Sequence, residues 1–97
     1  MTFVFEIQDV TGRKIHLSTE RWKHIQQHPE MTNKCEEIEE TLISPDVITD
    51  FKYDEQVHFY YKYDKIRREY LFVSVKYLNG KGFIITSFYV DCIKWKT

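Results

Sequence analysis

Cysteine, proline, glycine and long apolar runs are all scarce in this chain. Two Cys, two Pro and three Gly occur in 97 residues. Cys35 and Cys92 allow at most one disulfide, and no Cys-x-x-Cys or Cys/His zinc spacing exists. A disulfide framework and a zinc module are therefore excluded, and both thiols are read as structural. No apolar stretch approaches the roughly 18 residues of a membrane-spanning helix. The opening Met1-Thr2-Phe3-Val4-Phe5-Glu6 has neither the basic start nor the apolar run of a signal peptide. The expectation is a reduced, cytoplasmic protein with no membrane partner. Repeats, linkers and low-complexity segments are missing too.

What is abundant is aromatic: seven Tyr, seven Phe and two Trp, with 42% hydrophobic and 30% charged residues, the composition of a packed globular chain. The length fits one domain, residues 1–97, whose site would be a shallow cleft or a sheet face. A net charge of −1 hides an asymmetry. Residues 1–51 carry five Lys/Arg against ten Asp/Glu, and residues 52–97 carry nine against five. Glu36, Glu37, Glu39 and Glu40 concentrate the acid on one segment, either as a solvated helix face or as a surface that docks a protein.

Phe3–Ile7 reads as a strand, Asp9–Gly12 as a turn, and Lys14-Ile15-His16-Leu17 alternates as a second strand. The period then changes. Ser18 is a suitable N-cap, with Glu20 in the first turn and Leu17 and Trp22 placed as a hydrophobic staple. The helix is predicted over Thr19–His28, stopped by Pro29. A second helix is predicted after an Asn33 cap, with Cys35, Ile38 and Leu42 on one face and Ser44-Pro45-Asp46 at its end. Strands follow at Val47–Phe51, Gln56–Tyr63, Glu69–Leu78 and Gly82–Cys92, the last two joined through Asn79-Gly80-Lys81-Gly82. The order ββααββββ predicts an α+β fold: two short helices packed on a four-stranded or larger antiparallel sheet.

Strand alternation separates two faces. The odd positions Val57, Phe59, Tyr61, Leu71, Val73, Val75, Tyr77, Phe83 and Ile85 are apolar. The even positions His58, Tyr60, Lys62, Tyr70, Phe72, Ser74, Lys76, Ile84, Thr86 and Phe88 mix aromatic, hydroxyl and cationic groups. A three-residue loop at Asn79–Lys81 would keep odd with odd, pairing Lys76 with Ile84 and Ser74 with Thr86; a two- or four-residue loop would break that parity. With parity kept, the odd face packs on the helices and the even face is open. Rings interleaved with cations and hydroxyls suit a nucleic acid, through stacking and phosphate contacts, although solvated sheet faces carry the same residue types.

His24 and His28 stand four apart beside Arg21, at the edge of the stripe formed by Trp22, Ile25 and Pro29. Such a pair could hold a metal, but no Glu lies between the two and spacing supplies no third ligand. It could be structural. It could also move protons, since an unperturbed imidazole titrates near neutrality. RNA cleavage by internal transesterification needs a base for the 2′-OH, an acid for the 5′-oxygen, and a cation or hydrogen-bond donors for the phosphate. The histidines, Lys76, Thr86 and a tyrosine fill those roles with no metal and no cofactor.

The run Leu17-Ser-Thr-Glu-Arg-Trp-Lys-His-Ile-Gln-Gln-His-Pro-Glu30 resembles the opening of small proteins in the phage-associated branch of the barnase–EndoU–colicin–RelE nuclease superfamily. Glu37-Ile-Glu-Glu-Thr-Leu-Ile-Ser-Pro-Asp-Val-Ile48, Tyr70-Leu-Phe-Val-Ser-Val-Lys76, Gly82-Phe-Ile-Ile-Thr86 and Asp91-Cys-Ile-Lys94 extend the resemblance over about residues 14–94. It implies a RelE/barnase-like fold and metal-independent RNA cleavage, often by a toxin held in check by a cognate inhibitor or antitoxin protein. The motif positions are Trp22, His24, His28, Lys76 and Thr86. His24 and His28 are then base and acid in unassigned order, Lys76 the phosphate cation and Thr86 a phosphate donor. Tyr60, Lys62, Arg67 and Arg68 would bind RNA. Phe88 stands where the family has a tyrosine, with Tyr89 or Tyr60 as substitutes. The rival expectation is a catalytically silent RNA-binding or protein-interaction module on the same fold.

Overall fold

The computed structural model describes residues 3–94, so the single-domain expectation for residues 1–97 runs past it at both ends. Six strands form one sheet: β1 (Phe3–Gln8), β2 (Lys14–Ser18), β3 (Val47–Asp50), β4 (Val57–Asp64), β5 (Glu69–Leu78) and β6 (Lys81–Val90). Their spatial order is β1-β2-β6-β5-β4-β3. Every pair is antiparallel except β2–β6, which runs parallel over Lys14–His16 against Lys81–Phe83. The α+β class holds, with the N-terminal hairpin β1–β2 added to a four-stranded meander.

Helix α1 (Thr19–Ile25) starts where expected: Ser18 is extended, and its hydroxyl accepts the Arg21 N–H at 3.1 Å. It ends three residues before His28. The N–H groups of Gln27 and His28 reach the carbonyls of His24 and Ile25 at 3.2 and 3.1 Å, a tightened last turn. His28 is itself extended (φ −82°, ψ 114°), as the ring of Pro29 requires of the residue before it. A single 3₁₀ turn (Pro29–Met31) follows, and then α2 (Cys35–Ile43). Lys34 rather than Asn33 precedes α2, and Asn33 takes a left-handed conformation (φ 60°) in the link. Ile25, Met31, Ile38 and Leu42 point into a core completed by Ile15, Leu17, Val73, Val75 and Ile84 of the sheet. Burial of these side chains contributes roughly 1.5–3 kcal/mol each and fixes which sheet face the helices cover.

That face differs from the parity expected. Lys65–Arg68 is a four-residue turn, so Asp64 pairs with Glu69 and the even residues of β4 face the same way as the odd residues of β5: Tyr60 lies opposite Val73 and Lys62 opposite Leu71. The β5–β6 turn has only two residues, Asn79 and Gly80, both at positive φ (55° and 79°), with Leu78 opposite Lys81. Lys76 therefore pairs with Phe83, not Ile84. A bulge at Ile85 then restores the expected pair Ser74–Thr86. The helix-covered face carries His58, Tyr60, Lys62, Leu71, Val73, Val75, Tyr77 and Ile84. The second face carries Val57, Phe59, Tyr61, Phe72, Ser74, Lys76, Phe83, Thr86 and Phe88.

Under the helix-covered face, the β1–β2 turn is tied to distant strands through one carboxylate. Asp9 is buried, and its Oδ1 accepts the Thr11 N–H at 2.9 Å, the Thr11 hydroxyl at 2.6 Å and the Arg13 N–H at 3.0 Å. Its Oδ2 accepts the hydroxyls of Tyr60, at 3.0 Å, and of Tyr77, and those two hydroxyls also bond to each other. Burial would raise the Asp9 pKa, but the bonds from Thr11, Tyr77, the Arg13 backbone and Tyr60 outweigh it and hold the carboxyl below its usual 3.8. Burial pushes Tyr60 up to about 12 and raises Tyr77 as well.

Asp9→Ala removes the acceptor of three hydroxyls (Thr11, Tyr60 and Tyr77) and two N–H groups. A loss of about 3 kcal/mol is expected, read by urea melts. The depressed Asp9 carboxyl adds stability above its usual 3.8 that is lost as pH falls through the lower folded value. The raised Tyr60 phenol adds stability that is complete below its usual 10.0 and lost as pH rises towards about 12. Thermal melts across pH should therefore show both flanks in wild type and a shallower acid flank in Asp9→Ala.

Candidate active site

The second face gathers part of the expected set. Lys76 and Thr86 both lie on it, each half-buried, with Thr86 directly opposite Ser74 and Lys76 two residues further along β5. Phe59, Phe72 and Phe88 form a ring ladder beside them, with centroids 5.1 and 4.9 Å apart. The His28 ring meets Phe88 at 5.8 Å, which brings it to the same face, two residues along β6 from Thr86. His24 is exposed on α1, one turn after Arg21. Because α1 ends at Ile25, His24 and His28 do not form the helical i, i+4 pair expected of them. The C-terminal segment also reaches this face, where the Lys94 N–H donates to the Tyr61 hydroxyl at 3.3 Å.

Lys76 is not a free cation. Its ammonium lies 3.1 Å from Oδ2 of Asp54, in the loop between β3 and β4. The Asp54 carboxyl is held below its usual value by the Gln56 backbone N–H and then by Lys76. An incoming phosphate must compete with this carboxylate.

The four residues expected to bind RNA lie elsewhere. Tyr60 is 1% exposed on the helix-covered face and spends its hydroxyl on Asp9 and Tyr77, so no base can stack on it. Lys62 is on that same face, where its ammonium donates to the Ser44 carbonyl at the end of α2 at 2.8 Å. Arg67 and Arg68 sit in the β4–β5 turn, Arg67 paired with Glu69 at 3.2 Å and stacked on Tyr89 at 4.0 Å. That turn stands about 25 Å along β5 from Lys76 at a strand rise of roughly 3.3 Å per residue. Neither substitute tyrosine reaches the second face: Tyr89, opposite Leu71, is buried beneath α2, and Tyr60 is in the Asp9 network.

A cavity of about 860 Å³ also opens on the helix-covered side, between α2 and the β4–β5 turn. Glu37, Glu40, Asp46 and Asp64 line it with Lys62 and Lys65, a rim of net negative charge that disfavours a phosphate chain. A cavity of about 420 Å³ opens where β2 leaves β6, lined by His16, Ser18, Thr19, Glu20, Arg21, Phe83 and Ile84. Neither His16 nor Arg21 was among the expected site residues. The alternation of β2 already set His16 opposite to buried Ile15 and Leu17, but no sequence signal announces the parallel pairing that carries it beside Phe83. Among the described residues, no three His, Cys, Asp or Glu side chains gather as a metal site. Cys35 is half-buried, and burial and then Glu39 and Glu37 raise its thiol pKa.

Helices on one face of a mostly antiparallel sheet, with cationic, hydroxyl and aromatic groups on the other, define the layout of a barnase/RelE-like nuclease fold. The family described as phage-Barnase-EndoU-ColicinE5/D-RelE like nuclease2 matches residues 5–95, and the chain belongs to it. No curated protein and no solved structure matches the chain.

Asp54→Asn keeps an acceptor for the Gln56 N–H and removes the charge opposing Lys76. The variant should bind single-stranded RNA more tightly. Each further phosphate neutralised steepens the dependence of log affinity on log salt by about 0.7. Fluorescence anisotropy over a salt series reads both quantities, and an unchanged slope would mean that Lys76 does not meet phosphate.

Proposed function

We propose that the chain is an endoribonuclease that cleaves RNA by attack of the 2′-OH on the neighbouring phosphorus, without a metal ion, on the second face of the sheet. The observation that carries this reading is the joint placement of Lys76 and Thr86 on that face in a member of a nuclease family. Lys76 supplies positive charge to the phosphate and Thr86 a hydrogen bond. His24 and His28, from α1 and the link after it, are the acid–base candidates of the motif. The half-buried rings of Phe72 and Phe88 offer stacking surface for splayed bases. A cognate inhibitor protein would act by covering this face.

The second reading is a module that binds RNA without cutting it. The Lys76–Asp54 ion pair favours it, because a neutralised lysine stabilises a phosphorane poorly.

Incubation with labelled RNA in excess EDTA separates the two readings. Wild type should cut, leaving a 2′,3′-cyclic phosphate and a 5′-OH, and a 2′-deoxy substitution at the cut site should abolish cleavage. Thr86→Ala and Lys76→Ala should each slow single-turnover cleavage about a hundredfold, the effect of losing one positioned donor to a transition-state phosphate, with melting temperature retained. Cleavage of the 2′-deoxy substrate rejects the mechanism, and binding without cleavage selects the module.

A further inference from the structure

We propose that His16 is a catalytic residue of this site, the proton donor to the departing 5′-oxygen, serving a nucleotide seated between β2, α1 and β6. The inference rests on the ribonuclease reading and adds to it a group outside the family motif. Three adjacent strands place Lys76, Phe83 and His16 in one cross-strand row on the second face: Lys76 pairs with Phe83 across β5–β6, and Phe83 with His16 across β6–β2. Neighbouring strands are about 4.8 Å apart, so Lys76 and His16 stand about 10 Å apart at their Cα atoms. One phosphate with its flanking riboses fills that gap, over the Phe83 ring.

The imidazole is oriented without being used up. Phe3 stacks on it at 4.1 Å with an interplanar angle of 18°, and Phe83 approaches its other side at 6.2 Å. Among the described residues, neither ring nitrogen has a hydrogen-bond or ion-pair partner. His16 lines the 420 Å³ cavity that Arg21 also lines. The charged groups around it are Glu6, its direct partner on β1, Lys14 two residues before it on β2, Lys81 opposite Lys14 on β6, Glu20 and Arg21 on α1, and Lys76 beyond Phe83. Arg21 lines the cavity directly, and Lys76 meets the phosphate by exchanging Asp54 for it. His24 and His28 have no comparable clamp: one is exposed on α1, and the other lies beyond its end.

The step balances. The 2′-oxygen forms its bond to phosphorus as the P–O5′ bond breaks. The motif base, His24 or His28, takes the 2′-OH proton, and the His16 imidazolium gives one to the 5′-oxygen. The products are a 2′,3′-cyclic phosphate, a free 5′-OH and a neutral His16 ring, which regains a proton from solvent.

The test is single-turnover RNA cleavage against pH for wild type, His16→Gln and His16→Ala, beside thermal melting and anisotropy with a non-cleavable 2′-deoxy oligonucleotide. The Gln variant should keep its melting temperature and oligonucleotide affinity, cut about a hundredfold more slowly, and lose the descending alkaline limb. Added imidazole should restore part of the His16→Ala rate. If wild type cuts and the Gln variant cuts within threefold of it, the role of His16 is overturned and the nuclease reading stands. A Gln variant that loses affinity but keeps both limbs also overturns it, leaving His16 as a binding residue. A wild type that cuts no RNA overturns the ribonuclease reading and the role of His16 together.

Discussion

Three residue pairs joining β2 to β6 in parallel connect the two halves of the chain. Without them the N-terminal hairpin has no place in the sheet, and α1, which begins directly after β2, has no strand to lie beside. The ladder is short and slanted, and Gly82 is part of what permits it. A Cβ there would lie 3.0 Å from the Tyr77 ring and 3.1 Å from Ile15, its partner across the ladder. The Asp9 carboxylate secures the other end of the hairpin by binding it to Tyr60 on β4 and Tyr77 on β5. Parallel pairing and buried carboxylate together carry α1, with its histidine and arginine, to the edge of β6.

The charge asymmetry of the sequence becomes spatial in the fold. The acid of α2 gathers around the large cavity on the helix-covered side, where Lys62 is engaged by a carbonyl and Arg67 by Glu69 and Tyr89. The second face keeps Lys76, Thr86 and the ring ladder. A polyanion that avoids carboxylates is directed towards the second face. Asp54 moderates that attraction by neutralising Lys76.

The α+β class, the Ser18 cap and the six strands were legible because they depend on local periodicity and on cap and turn chemistry. The faces were not. Strand parity depends on the number of residues in two turns and on one bulge, and a one-residue difference moves a whole strand to the other side. Tyr60 and Lys62 were lost as RNA contacts for that reason. Lys76 and Thr86 kept their face because the two-residue turn and the bulge at Ile85 offset each other. His28 left the helix because the constraint imposed by Pro29 is felt earlier in the chain than its position suggests. His16 was overlooked because its neighbours, Phe83 and Arg21, come from a parallel pairing and a helix edge that alternation alone does not announce.

The bulge in β6 also bears on how related chains can vary in length. Between the Asn79-Gly80 turn and Ile85 the strand is one residue out of phase with the part that carries Thr86. Residues can therefore be inserted or removed at the hairpin tip in matched pairs, one from each strand, without moving Thr86. Deletion of Ile85 would remove the bulge and leave a regular ladder, with Ser74–Thr86 and Val75–Ile84 still paired and Phe83 still opposite Lys76. Descendants of this chain are expected to change length in the β4–β5 turn, which lies far from Lys76, or by matched pairs at the Asn79-Gly80 tip.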